Sequence, residues 1–151
     1  MVEWGILAVL VLVFAGVFGH YVRMIQGQGE RAAVMSTLGA LRTALVIDYA
    51  QRATVIATAD RAHTPVNPFL VLQTPPLNYG GEMSVVQSLA APAGRWVFDP
   101  QCACIGYLPL DPAWQSAAAD GSILWFKVSD GPGPRELTAL GSYVWQGMQV
   151  Q

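Results

Sequence analysis

Nineteen consecutive residues near the start of the chain, from Trp4 to Val22, carry no formal charge. As an α-helix this run spans about 28 Å, close to the ~30 Å hydrocarbon core of a bilayer. A cleavable signal peptide is the alternative, but it would have a basic start and a shorter apolar run, whereas the charged residue before this run is Glu3. A buried core helix would carry a polar face. We therefore predict a retained transmembrane helix over residues 1–22.

Helical character continues beyond this run, because there is no Pro from Glu30 to Ala57. We predict an amphipathic continuation over residues 23–57, with Gly27 and Gly29 as the place where the helix bends or unwinds. Its apolar stripe, at helical spacing, consists of Val34, Leu38, Leu41, Leu45, Tyr49 and Ile56. Asp48 and Arg52 form a supportive i,i+4 pair. Apolar residues off the stripe, namely Ala44, Val46 and Ile47, indicate a helix that packs against two different partners.

The remainder, residues 58–151, is predicted to be one globular unit. It begins with a long ordered loop that contains four prolines between Pro65 and Pro76. Short apolar runs separated by turn residues then predict strands at Trp96–Phe98, Cys104–Leu108, Ile123–Val128 and Tyr143–Trp145. We predict that these strands form a small antiparallel sheet, which packs across the stripe of the helix and gives an α+β fold.

Composition limits the function. Charged residues make up 12% of the chain, about half the roughly 25% that is typical of soluble proteins, and the formal net charge is −2. Disorder is excluded, because it requires low hydrophobicity and high net charge. The eight basic residues are balanced by ten acidic ones and do not cluster, so we expect no nucleic-acid partner.

Two cysteines, Cys102 and Cys104, are candidates for a disulfide. Residues i and i+2 of an extended strand lie about 6.5–7 Å apart at Cα, near the limit for a disulfide, so a bridge needs a tight turn. The alternative is a pair of buried thiols. A metal ion would need further ligands, and the two histidines of the chain are His20, in the apolar run, and His63. We therefore expect no metal site.

Other candidate residues favour structural roles. Four tryptophans in the globular part suit either a ligand platform or core packing, and their strand-like surroundings favour packing: Trp96, Trp114, Trp125 and Trp145. Four aspartates each precede Pro or Gly and are predicted turn formers: Asp99, Asp111, Asp120 and Asp130. No catalytic triad, paired-acid set or phosphate loop can be assembled, so we expect neither an enzyme nor a cofactor.

Several segments together are similar to the type IV pilin and type II secretion pseudopilin family, especially its minor members. Leu41-Arg42-Thr43-Ala44-Leu45 followed by Tyr49 resembles the middle of a pilin helix. Further similar segments are Asn67-Pro68-Phe69, Pro75-Pro76-x-Asn78-Tyr79, and Pro92-x-Gly94-x-Trp96-x-Phe98-Asp99 leading to Tyr107. The resemblance implies a pilin-like structural subunit that assembles through its N-terminal helix into a pilus or secretion filament, with other pilin-like subunits as partners.

Glu3 falls where pilins carry the acidic residue near the mature N-terminus. The resemblance implies that Glu3 acts in assembly by pairing with the N-terminal amine of a neighbouring subunit; the alternative is a carboxylate solvated among lipid headgroups. The resemblance also implies a bacterial inner-membrane protein with a periplasmic globular part, although Arg23 and Arg31 after the span favour the opposite orientation. The second functional hypothesis is a single-pass anchored periplasmic module that binds a ligand or a protein.

Overall fold

A computed structural model describes residues 2–54, 67–88, 90–116, 123–129 and 133–150. Some sequence predictions concern residues outside these ranges, namely Ile56, His63, Pro65, Asp120 and Asp130. The described residues form a long helix, α1, and a smaller α+β part that we call the head, residues 67–150.

Helix α1 runs from Val2 to Thr54, 53 residues, which is about 80 Å at 1.5 Å per residue. It stays α-helical through Gly27 and Gly29, so the predicted unwinding there is wrong. The head packs closely on this stretch of α1, where Trp114 and Gln146 lie against Gly27. The boundary that we placed after residue 22 remains a prediction, since α1 has no structural break at that point.

The apolar stripe of α1 is confirmed over four residues. Val34, Leu38, Leu41 and Leu45 are fully buried against the head. Tyr49 is 41% exposed, because α1 has passed beyond the core by that turn, and its assignment to the stripe is wrong. Beyond the core, polar contacts continue: Asp48 forms an ion pair of 3.9 Å with Arg135 of the head.

The head contains two sheets. The larger sheet has the order β1-β2-β3-β5-β6, and the smaller one has the order β4-β7-β8. The strands are β1 Tyr79–Glu82, β2 Trp96–Asp99, β3 Cys104–Tyr107, β4 Gln115–Ser116, β5 Leu124–Val128, β6 Leu137–Ala139, β7 Tyr143–Trp145 and β8 Met148–Val150. A short helix α2 (Val85–Ser88) and two 3₁₀ turns (Pro68–Leu70, Pro112–Trp114) complete the described elements.

The larger sheet is mixed, which corrects the prediction of an antiparallel sheet. Strand β1 pairs parallel to β2, with Tyr79 opposite Trp96, whereas the other pairs are antiparallel. The chain passes through α2 between β1 and β2, and such a crossover is what brings consecutive strands into parallel alignment. In the sequence, β1 reads Tyr-Gly-Gly-Glu, and this glycine-rich segment lacks the apolar run that marked the other strands.

One face of the larger sheet and the smaller sheet together cover α1. Large aromatic side chains form a row in this core. Phe69 and Tyr79 are stacked with 4.4 Å between ring centroids, and the rings of Trp96 and Tyr107 are tilted against each other with 4.8 Å between centroids. The opposite face of the larger sheet carries a second apolar cluster that includes Val97, Leu108 and Ile123.

Because Leu38 is completely buried at the centre of the stripe, we expect Leu38→Ala to lower the free energy of unfolding by about 2–5 kcal/mol, through lost burial and the cavity left behind. Leu70→Ala is the matched control, since Leu70 is 70% exposed, and it should change stability by less than about 0.5 kcal/mol. Urea unfolding of the full chain in mild detergent, followed by tryptophan fluorescence, measures both. Equal effects of the two substitutions would contradict the placement of the stripe.

Candidate functional site: helix α1 and its junction with the head

The N-terminal half of α1 has no protein covering it. Every described residue from Glu3 to Gln26 is exposed except Val22, which is half-buried. Its largest side chains are among the most exposed, with Trp4 at 79% and Phe14 at 72%. Within the described chain, α1 is one helix long and apolar enough to cross a membrane, judged by length and composition. We call residues 3–26 the uncovered half of α1.

Glu3 lies in the first turn of α1, at the end of the uncovered half. A negative charge is favoured there, because the amide groups at a helix N-terminus carry a partial positive charge. Glu3 is far from the other predicted site residues, since the hydrogen bonds between α1 and the head begin at Met24, about 30 Å further along the axis. The role of Glu3 in assembly stays a prediction.

Hydrogen bonds fix the end of the head nearest the uncovered half to α1. The indole Nε1 of Trp145 donates to the carbonyl of Gly27 at 3.0 Å, and the amide Nε2 of Gln146 donates to the carbonyl of Met24 at 3.4 Å. The guanidinium of Arg31 donates to the carbonyl of Gln149 at 3.2 Å. Strands β7 and β8 and the turn between them therefore contact α1 directly after the predicted span.

Gly27 allows this close approach. A Cβ atom at position 27 would lie 2.8 Å from the Cδ of Gln146 and 3.1 Å from the Cδ2 of Trp114, both closer than side chains normally pack. At Gly29, two residues later, a Cβ would meet no atom within 4 Å of the described structure. From the sequence we expected both glycines to weaken the helix. In the structure, Gly27 instead leaves the space in which the head contacts the helix.

Glu30 joins α1 to the larger sheet. Its Oε1 accepts hydrogen bonds from the hydroxyl of Tyr107 at 2.7 Å and from the backbone N–H of Leu110 at 2.9 Å. Burial raises the pKa of Tyr107 well above its ordinary value of 10, and the hydrogen bond to the Glu30 carboxylate and its charge raise it further. Tyr107 therefore stays protonated and remains a donor at any physiological pH.

Sequence reasoning did not identify Glu30, although its position carried a signal. Glu30 lies four residues before Val34 and so continues the buried stripe by one turn. A carboxylate at a stripe position needs a donor in the surface that covers it, and Tyr107 supplies that donor. Around Glu30 the interface is polar: Arg31, Gln115 and Gln146 each bury at least one polar atom, in contrast to the apolar core further along α1.

Cys102 lies in the turn between β2 and β3 and Cys104 is the first residue of β3, and a disulfide joins them. Their Cα atoms are 5.2 Å apart, shorter than in an extended strand, because Ala103 between them adopts a left-handed backbone with φ of +54°. Asp99 holds the same turn: its carboxylate accepts hydrogen bonds from the N–H groups of Gln101 at 2.8 Å and Val85 at 3.1 Å.

The tryptophans do not form one platform. Trp96 and Trp145 are buried under α1, whereas Trp125 belongs to the cluster on the opposite face of the larger sheet and covers Gly106. Trp114 is half-buried beside Gly27. Among the described residues, no three His, Cys, Asp or Glu side chains lie close enough to hold a metal ion.

A groove of about 970 Å³ lies at the other end of the molecule, between α1 and residues 70–74. Apolar side chains supply much of its lining: Ala40, Ala44, Ile47, Leu70, Val71 and Leu72. Ile47, which lines the groove, is about half-exposed. The C-terminal half of α1 is thus apolar both towards the head and towards this groove.

Comparison with protein-family models, with curated proteins and with solved structures found no match to this chain. The described architecture is an apolar helix, uncovered over its first half, that is joined without a break to an α+β head.

Adding a side chain at Gly27 should loosen the junction. We expect Gly27→Ala to lower the free energy of unfolding by about 1–3 kcal/mol through overpacking, offset in part by the roughly 1 kcal/mol by which Ala exceeds Gly in helix propensity. Gly29→Ala is the matched control and should raise stability by up to about 1 kcal/mol. Urea unfolding in detergent measures both. Equal stabilisation by the two substitutions would show that the head leaves room for a Cβ atom at position 27.

The disulfide has a direct chemical test. Protein isolated without reductant and then denatured should contain no free thiol, and reduction should release two, because the chain has two cysteines. Cys102→Ser and Cys104→Ser, each made alone, should expose one thiol without reduction. Two free thiols in the unreduced wild-type protein would instead identify a pair of buried thiols.

Proposed function

We propose that this protein is a structural subunit of pilin or pseudopilin type. In this proposal α1 is held in a bacterial inner membrane with the head on the periplasmic side. The subunit then assembles with other pilin-like subunits, through α1, into a type IV pilus or a type II secretion filament. The observation that carries the proposal is the uncovered half of α1, continuous with a half that the head covers.

The energy of the uncovered half supports a partner for α1. Fourteen large apolar side chains between Trp4 and Ile25 are exposed. Each is worth about 1.5–3 kcal/mol when fully buried, so their exposure to water costs on the order of 20 kcal/mol or more. This exceeds the roughly 5–15 kcal/mol by which a typical domain is stable. A bilayer covers such a helix before assembly, and neighbouring helices cover it afterwards.

Continuity of α1 supports a filament subunit. The helix has no break between the uncovered half and the turns that pack on the head, and hydrogen bonds from Trp145, Gln146 and Arg31 tie the two together. Helix and head therefore move as one unit. When such a unit leaves the bilayer, the uncovered half exchanges lipid for the matching helices of other subunits, and the head is carried to the outside.

The second apolar side of α1 supports lateral contacts. Ile47 and the neighbouring Leu70 remain exposed beside the groove, although this part of the helix is already packed on the head. A subunit in a filament has neighbours on several sides, and a helix that is apolar on two sides suits that arrangement.

Glu3 provides the test. In a bundle of helices its carboxylate would lie in an apolar medium and would need an amine partner from a neighbouring subunit. Glu3→Ala removes the carboxylate that would pair with the neighbour's amine, but it removes no apolar surface. We therefore expect normal insertion into membranes and at least about a tenfold loss of incorporation into filaments, because an unpaired buried charge costs about 3–5 kcal/mol. Glu136→Ala removes an exposed carboxylate of the head and is the matched control.

Carbonate-resistant membrane binding measures insertion, and the filament fraction sheared from cells of the native host measures assembly. Loss of insertion together with assembly would mean that Glu3 acts in the membrane and not between subunits. Normal incorporation of the Glu3→Ala protein would overturn the proposed pairing.

An anchored periplasmic binding module is the second candidate, and the groove beside residues 70–74 is the observation that favours it. The two functions respond differently when residues 4–22 are replaced by an unrelated apolar span. An anchored module needs only to be held at the membrane and should keep its function, whereas a filament subunit should no longer assemble.

A further inference from the structure

We propose that the membrane-side end of the head rests on the lipid headgroups and gives the protein a second contact with the bilayer besides α1. We call this surface the base; it consists of Trp114, Gln146, Gly147 and Met148. The inference depends on insertion of α1 into a membrane, which is part of the proposed function, and it adds the position of the head before assembly.

The distance along α1 from the end of the apolar run determines how far the base lies from the hydrocarbon core. The uncharged run ends at Val22, and Met24 and Gly27 follow about 3 Å and 7.5 Å further along the axis. Gln146 donates to the carbonyl of Met24, and Trp114 lies beside Gly27. The headgroup region on each side of the hydrocarbon core is about 5–8 Å thick. The base is therefore held at the depth of the headgroups.

The chemistry of the base suits this depth. Its four residues carry no formal charge, and Met148 is 39% exposed. Tryptophan is favoured at membrane interfaces because its ring is apolar and its Nε1 can donate to a polar group. Two acidic residues lie near the base, and the carboxylate of each is already an acceptor: Asp111 for the N–H of Ala113, and Glu30 for the hydroxyl of Tyr107 and the N–H of Leu110.

The adjoining turn of α1 extends the same surface. Met24 and Ile25, in the last turn of the uncovered half, are exposed and apolar. Arg23 is also exposed, and its long side chain can place a positive charge among lipid phosphates while its stem stays in apolar surroundings. The base and this turn together form one surface with apolar groups and a cation, which fits a phospholipid headgroup layer.

Tryptophan quenching tests the proposal on the full chain. The protein is placed in phosphatidylcholine vesicles, either plain or brominated on the acyl chains close to the headgroups, and the loss of fluorescence is measured. Five tryptophans contribute to the emission. We expect bromine to quench two of them, Trp4 in the span and Trp114 in the base. Trp114→Phe should therefore remove about half of the quenching, and Trp4→Phe the other half.

These two variants separate the inference from the function on which it rests. Quenching that depends only on Trp4 would mean that α1 inserts but the base stays clear of the lipid, which overturns this inference alone. Quenching of neither residue would mean that α1 does not insert, and would overturn the membrane step of the proposed function. Trp114 fluorescence that changes with protein density and not with bromine would identify a neighbouring head as the partner of the base, and would also overturn the inference.

A charge placed in the base provides an independent measurement. Met148→Asp should push the base away from the headgroups and lower the quenching assigned to Trp114 at least twofold. Leu70→Asp is the matched control, because Leu70 is exposed beside the groove with Ile47, about 37 Å along α1 from Val22. Equal quenching in the two variants would contradict contact between Met148 and the membrane.

Discussion

Packing of α1 against the two sheets determines how the head is placed on the helix. Val34, Leu38, Leu41 and Leu45 are buried by the head, and because the helix is continuous, the same contact sets where the head stands relative to the uncovered half. The head covers α1 only where α1 carries a stripe. Over the uncovered half the helix is apolar all round, which suits a partner that surrounds it, such as lipid or a bundle of helices.

Much of the fold could be predicted from the spacing of apolar residues, because the buried side of a helix or strand carries apolar residues at regular intervals. The stripe and four of the strands were recognised in this way, with Tyr143–Trp145 matching β7 from end to end. Strand β1 was not, since Tyr79-Gly80-Gly81-Glu82 is partly exposed and has little apolar content. The parallel pairing of β1 with β2 depends on how the chain connects the two strands, and the residue pattern within either strand does not indicate it.

The candidate site was less predictable, because its residues depend on contacts between distant parts of the chain. The apolar run marked the uncovered half directly. Gly27 was recognised but interpreted as a weak point, since sequence does not show that Trp114 and Gln146 approach it. Glu30 was overlooked although it occupies a stripe position, because its partner Tyr107 lies 77 residues away. The turn at Ala103, by contrast, was required by the spacing of the two cysteines.

The order in which these contacts can form follows from the hydrogen bonds at the junction. Trp145 and Gln146 reach carbonyl groups of α1 that lie 118 and 122 residues earlier in the chain. During synthesis, the apolar run therefore leaves the ribosome long before the strands that contact Met24 and Gly27 have been made. If α1 is inserted into a bilayer as proposed, insertion can precede the hydrogen bonds that join α1 to the head, because β7 and β8 are translated last.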